Sequence, residues 1–182
     1  MKSFIKHIIW IILTGVVFYL LDRFADVRTD ISAIRFTYAY PFLSCIAVIC
    51  GAFTAGCAGI IGLLFPFVFE HAVFQWIDLA CIFLFCLLIG AITANRLDYK
   101  DGILGLGDIN ILFRTQIIVN TAVWFIIRPL LYHYVLNVRM LEALREGFPL
   151  TLSRSLSGLL IGTVLMGIYS RARYSEACFY RS

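Results

Sequence analysis

Six apolar runs, parted only by short polar stretches or a glycine, dictate what this chain can become. They cover residues 4–21, 38–50, 51–69, 76–94, 111–136 and 148–169. A helix of about 20 apolar residues can cross the hydrocarbon core of a bilayer, because it satisfies its backbone hydrogen bonds internally where no water can. The second and third runs are continuous in hydropathy and must divide near Gly51. The sequence therefore predicts an all-α integral membrane protein, one domain over residues 1–182, built as a bundle of six transmembrane helices. Five is the alternative, if the 38–69 stretch is re-entrant. Composition agrees: 62% of residues are hydrophobic and 14% charged, against about 45–50% and about 25% in a soluble domain.

Charge then reports orientation. Twelve of the fifteen basic residues are arginines scattered over loops and termini, so there is no block that would bind nucleic acid. With the N-terminus in the cytoplasm, Lys2, Lys6, Arg96, Lys100, Arg114, Arg171, Arg173 and Arg181 face inward, eight in all, and five, Arg23, Arg28, Arg35, Arg139 and Arg145, face outward. Cytoplasmic loops carry the excess of Lys and Arg, which predicts both termini inside and loops 22–37, 70–75 and 137–147 outside. Lys2 and Lys6 before the first run resemble a signal peptide, but no small-residue cleavage site follows and the run continues into LLDRFADVR. It is read as a retained first helix. No two of the six cysteines, Cys45, Cys50, Cys57, Cys81, Cys86 and Cys178, have CxxC spacing, and five lie in apolar runs. Cysteine there behaves as a small hydrophobe, and neither a disulfide framework nor a zinc knuckle is indicated.

Small residues mark where helices approach. Gly51, Ala55 and Gly59 recur every four residues, Gly62 follows on the same face, and Gly158 and Gly162 repeat the spacing in the last run. Such stripes serve packing within the bundle or docking of a partner helix.

Polar side chains inside a membrane bundle are costly, and each needs a reason. The stretch VFEHAVFQWID, residues 68–78, sets Glu70, His71, Gln75 and Asp78 among Phe69, Phe74 and Trp76. Asn120, Trp124 and Arg128 stand at i, i+4 and i+8 on one helix face. Thr151, Ser153, Arg154 and Ser157 lie near the outer end of the last run, and Arg35, Tyr38 and Tyr40 near the outer end of the second. Arg154 calls for an acidic partner or for a ligand's carbonyl or phosphate; Glu70 and Asp78 are the carboxylates at its depth. A pocket that is mostly apolar and aromatic, with a few convergent polar groups, suits a small molecule. A flat ring stacked on the aromatics and fixed at its edge by Arg or Glu fits a flavin-, pterin-, nucleobase- or corrin-like compound. HxxxQxxD is not a zinc ligand set, and spacing places no Ser or Cys nucleophile beside His71. KDGILGLGDIN lacks the GxxxxGK[ST] of a phosphate-binding loop. Neither metal, cofactor nor ATP-hydrolysing motor is expected in this chain.

These features together resemble the substrate-capture (S) component of energy-coupling-factor (ECF) vitamin importers, in the branch related to the riboflavin S components. The likeness spans roughly residues 5 to 173. It rests on LLDRFADV, YAYPFLSCIAVICGAFTAGCAGIIG, DGILGLGDI, NTAVWFIIRP with its Asn-x-x-x-Trp followed by Pro, and LSRSLSGLLIGT. The resemblance implies a plasma-membrane protein that binds a vitamin-like solute near the outer face, under the loop between helices one and two. It also implies docking on a membrane scaffold (T component) driven by two ATPase subunits. Two segments depart from the family pattern. WIILTGV places Trp10 where an Ala of an Ala-x-x-x-Ala docking motif is expected, with Thr14 a turn later, so docking uses Gly15 and another helix or the partner differs. GLLFPFVFEH stands where relatives carry a Gly-His-x-x-Lys-Asp-like segment, which points to a different ligand. Two other classes compete: a structural membrane scaffold, whose polar residues would pair internally, and a membrane-embedded enzyme, which would need an acid–base or metal constellation.

Overall fold

Gly51 has φ +100°, a conformation that glycine adopts at no steric cost, and it breaks the longest apolar stretch into two helices. The computed structural model describes residues 2–28, 35–69, 75–94 and 105–179. Six helices run through them. Helix α1 is Lys2–Phe24, α2 Ala39–Ile49, α3 Ala52–Phe69 and α4 Trp76–Thr93. Helix α5 is Leu106–Leu136, and α6 runs from Met140 through Ser157 and on to Phe179. Between α1 and α2 two short antiparallel strands, β1 (Asp26–Arg28) and β2 (Arg35–Thr37), pair Asp26 with Thr37 and Arg28 with Arg35.

Five of these helices are long and apolar enough to cross a membrane, and the sixth, α2, is apolar but short. At 1.5 Å per residue its 11 residues extend roughly 16 Å, about half of the hydrocarbon core. It is nevertheless the hub of the bundle. Ala39, Tyr40, Leu43, Ser44, Cys45, Ala47 and Val48 are all buried, and α1, α3, α4 and α6 pack around them. Phe18, Phe85 and Trp124 meet the Tyr40 ring with centroids 5.7, 6.2 and 5.5 Å away.

Small residues set the crossings. A Cβ on Gly62 would lie 2.3 Å from Phe18 Cδ1 and 2.9 Å from the Gly15 carbonyl oxygen; one on Gly15 would lie 2.8 Å from Ile61. Gly59 meets Leu43 and Ile82, and Gly90 meets Ala52. Van der Waals contact of this closeness is what drives helix association where no hydrophobic effect acts between helices. Gly51 itself does not belong to the packing stripe: nothing would touch a Cβ there, and its role is the turn. On the opposite face of α1, Ile5, Ile8, Ile9, Trp10, Ile12 and Leu13 are exposed, as a lipid-facing helix requires.

Several boundaries differ from the sequence reading. The region 22–37 is not all loop, since α1 reaches Phe24 and the strand pair follows. Helix α5 begins within the glycine-rich segment, at Leu106, where Asp108 Oδ2 accepts the Gly105 N–H at 3.0 Å. The 137–147 loop shrinks to three residues: Asn137 turns through a left-handed φ of 54° and α6 starts at Met140. Its first turns, MLEALREG, are amphipathic and polar enough to have read as loop.

Both long helices contain a widened, π-type turn, at Thr121–Ile127 in α5 and Gly158–Gly162 in α6. The first has a visible cause. Pro129 lacks an N–H and its ring would strike the carbonyl four residues back in an α-helix; the Arg128 N–H instead bonds the Val123 carbonyl, five residues back. Gly147 of α6 lies against this turn, close to the Trp124 carbonyl and the Pro129 ring. In the second, Thr163 Oγ1 donates to the Leu159 carbonyl at 2.6 Å, and Cys45 Sγ lies 3.6 Å from that of Gly162.

Candidate functional site

The alternation of helix directions gathers the strand pair, the starts of α2, α4 and α6 and the end of α5 at one end of the bundle. Strand β2 lies against the first part of α6 there. Thr37 Oγ1 accepts the Ala39 N–H at 3.3 Å and fixes the entry into α2. Two arginines meet different company at this end.

Arg128, at the close of the α5 π turn, is closed off by protein. Its Nε donates to Asp78 Oδ1 at 2.7 Å, and Nη2 reaches Asp78 Oδ2 at 3.5 Å and Tyr132 Oη at 3.2 Å. Tyr132 Oη in turn donates to Gln75 Oε1 at 3.3 Å, and the guanidinium carbon lies 4.4 Å from the Tyr132 ring centroid. Asp78 sits in the first turn of α4, where a carboxylate also complements the helix dipole.

Arg154, on α6, sits within the angle between two rings. Its Cζ is 3.7 Å from the centroid of Tyr40 and 3.6 Å from that of Trp124, and these rings stand at 85° to one another. Nη2 donates to Tyr40 Oη at 2.6 Å. Nε and Nη1 are buried without a hydrogen-bond partner among the described residues, as are Trp124 Nε1 and Ser153 Oγ. The expected pairing with Asp78 does not form, because Arg128 holds that carboxylate. Asp22 and Asp78 act on Arg154 only over Coulombic range. A buried donor left unmade costs about 1–3 kcal/mol, and more when charged; two cation–π contacts offset part of this, at about 2 kcal/mol each when desolvated.

Deeper in the bundle, Asn120 Nδ2 donates to the Gln116 carbonyl at 2.8 Å and to Gln116 Oε1 at 3.2 Å. The bond is made within α5, not between helices, and Asn120 Oδ1 has no partner among the described residues. Gln116 lies against Gly158 of α6. Beside it, Ser44, Cys45, Leu112 and Met166 border a cavity of about 10 Å³, the room of about one water molecule.

The other predicted site residues disperse. Ser157 is buried and bonds its own helix, at the Ser153 carbonyl. Tyr38 and Trp76 are partly exposed at the starts of α2 and α4; Gln75, just before α4, stays in the Arg128 network through Tyr132. Arg35 belongs to β2, but its side chain lies outside the described residues, as do Glu70, His71 and Phe74 altogether. Tyr40 and Trp124 are core residues, and the Arg154 guanidinium lies over a face of each. Thr14 and Ala55 are buried, Gly15 and Gly59 are consumed by internal packing, and Trp10 is 64% exposed on the lipid face. Gly15 is therefore not free to dock a partner. Sequence reasoning missed Tyr132 and Gln116, although each stands four residues from a singled-out polar residue on its own helix. No group of three or more His, Cys, Asp or Glu fit to hold a metal occurs among the described residues.

No family model matches the chain. Among its relatives, a UPF0397 protein of Lactobacillus acidophilus is 27% identical over 172 residues, 94% of this chain and 92% of the relative. A UPF0397 protein of an Exiguobacterium species is 30% identical over 168 residues, 90% of each chain. One from Clostridium perfringens is 30% identical over 180 residues, 96% of this chain and 94% of its own. All three sources are bacterial. Relatedness at this level, end to end through every helix of a multi-pass membrane bundle, makes the chain a member of the UPF0397 family.

Proposed function

We propose that this chain is the substrate-capture subunit of an ECF-type importer in the bacterial plasma membrane, with both termini cytoplasmic and the strand pair facing outward. The observation that supports it is Arg154: a cation inside the bundle, near its outer end on this topology, with buried donors that no described residue satisfies. A solute-binding protein leaves such donors for its solute, whereas a protein whose polar residues serve only its own fold pairs them. The chain binds and does not transform its solute, a vitamin-like micronutrient. ATP hydrolysis and release fall to two ATPase subunits acting through a membrane scaffold. With Gly15 engaged by α3, the exposed Trp10 face of α1 is the part of that helix open to scaffold contact.

The test is purification of the tagged chain from its bacterial host in a mild detergent. A stoichiometric small molecule, a scaffold subunit and two ATPases should accompany it, and uptake of that molecule should require ATP. If neither the molecule nor the ATPases appear, the importer reading fails. A structural membrane protein then takes its place, a second reading that the internally paired Arg128–Asp78 network favours.

A further inference from the structure

Resting on the importer reading, the geometry points to a substrate class: we propose that the solute carries an oxyanion, a carboxylate or phosphate, and that Arg154 receives it. An arginine has five N–H donors and no acceptor, and here one is spent on Tyr40 Oη while Nε and Nη1 remain unfilled in a buried setting. The rings of Tyr40 and Trp124 hold the guanidinium plane in place, so its unfilled edges are preorganised. Ser153 Oγ and Trp124 Nε1, on the two helices that meet there, are further buried polar atoms without partners. Every one of these can donate. Buried donors left without an acceptor call for an acceptor-rich guest, and charge-assisted bonds from guanidinium to carboxylate or phosphate are the strongest of this kind. Of the two carboxylates that act on Arg154 over Coulombic range, Asp78 is held by Arg128 and Asp22 makes no hydrogen bond to Arg154. A phospholipid phosphate has the same chemistry, but Tyr40, Trp124, Ser153 and Ser157 are all buried among the helices, which places the unfilled donors inside the bundle and away from its lipid face. A neutral ring stacked on Tyr40 or Trp124 is disfavoured because Arg154 already occupies their faces.

Tryptophan emission of the full chain in an uncharged maltoside detergent tests this, since Arg154 lies on the Trp124 ring. The titrants are inorganic phosphate and acetate at constant ionic strength, with chloride as the reference. A saturable change with phosphate or acetate, absent with chloride, is expected. Arg154→Lys should weaken it about tenfold, because an ammonium lacks the planar fork, and Arg154→Gln should abolish it. If Arg154→Gln does not elute as a folded species, the lysine variant carries the comparison. The proposal is overturned if the native chain shows no saturable response, or if the response survives in the variants unchanged. It is also overturned if emission follows the phosphatidylglycerol content of nanodiscs while free oxyanions have no effect, which would make the guest a lipid headgroup. The two readings fail separately. ATPases that still co-purify without oxyanion binding leave the importer and remove this substrate class. Arg154-dependent oxyanion binding without ATPases or uptake leaves the site and removes the importer.

Discussion

Arg128 and Arg154 are two arginines at the same end of one bundle, on neighbouring helices, and the protein treats them in opposite ways. Arg128 is neutralised by Asp78 and wrapped by Tyr132 and Gln75, so its charge is spent on joining α4 to α5. Arg154 is oriented by Tyr40 and Trp124 but hydrogen-bonded by no carboxylate among the described residues. A buried charge that is paired serves architecture, and removing one partner strands the other. A charge that is positioned and left unpaired has no architectural return for its desolvation, which is why Arg154 is the functional candidate of the two.

The largest expected effect breaks the paired side. Asp78→Ala should lower stability by about 3 kcal/mol, because it leaves Arg128 buried without its anion, as read by thermal unfolding in detergent. Next comes the frame that both arginines share. Gly62→Ala drives a methyl against Phe18 and the Gly15 carbonyl and should cost about 2 kcal/mol. Combined with Asp78→Ala or Arg154→Met, it should add to each without changing the contrast. Tyr40→Phe removes the one hydrogen bond that Arg154 has and should cost about 1 kcal/mol, a loss that chemical denaturation can resolve. The smallest effect is the sharpest test: Arg154→Met should change stability by less than about 1 kcal/mol, since no charged partner is stranded. If its melting temperature falls as far as that of Asp78→Ala, the two arginines are alike and the contrast is gone.

The five long helices were legible in the sequence because hydrocarbon thickness sets a length that apolar runs must meet; α2 falls short of that length, so the spans number five or six. The break at Gly51 was legible because only a glycine tolerates that φ without strain. The strand pair was not: three residues on each side, DVR and RFT, are too few to display an alternation. The extra turns of α6 were hidden by their charge, as MLEALREG has the composition of a loop and the periodicity of a surface helix. At the site, membrane depth correctly grouped Arg128, Arg154, Asp78 and Tyr40, but depth says nothing of direction around the bundle axis. That direction decided which arginine met Asp78. The same gap left Trp124 and Tyr40 read as lining of a solute pocket, when they form the bed on which Arg154 lies.

The widened turn before Pro129 has a consequence best put as an angle. Each residue in an α-helix advances the chain by about 100° around its axis, so a turn that absorbs a surplus residue resets the bearing of everything beyond it. In α5 that reset comes immediately before Arg128. The proline that forces the turn therefore acts as an aiming device: it decides whether this cation looks across the bundle at Asp78 or out into the hydrocarbon.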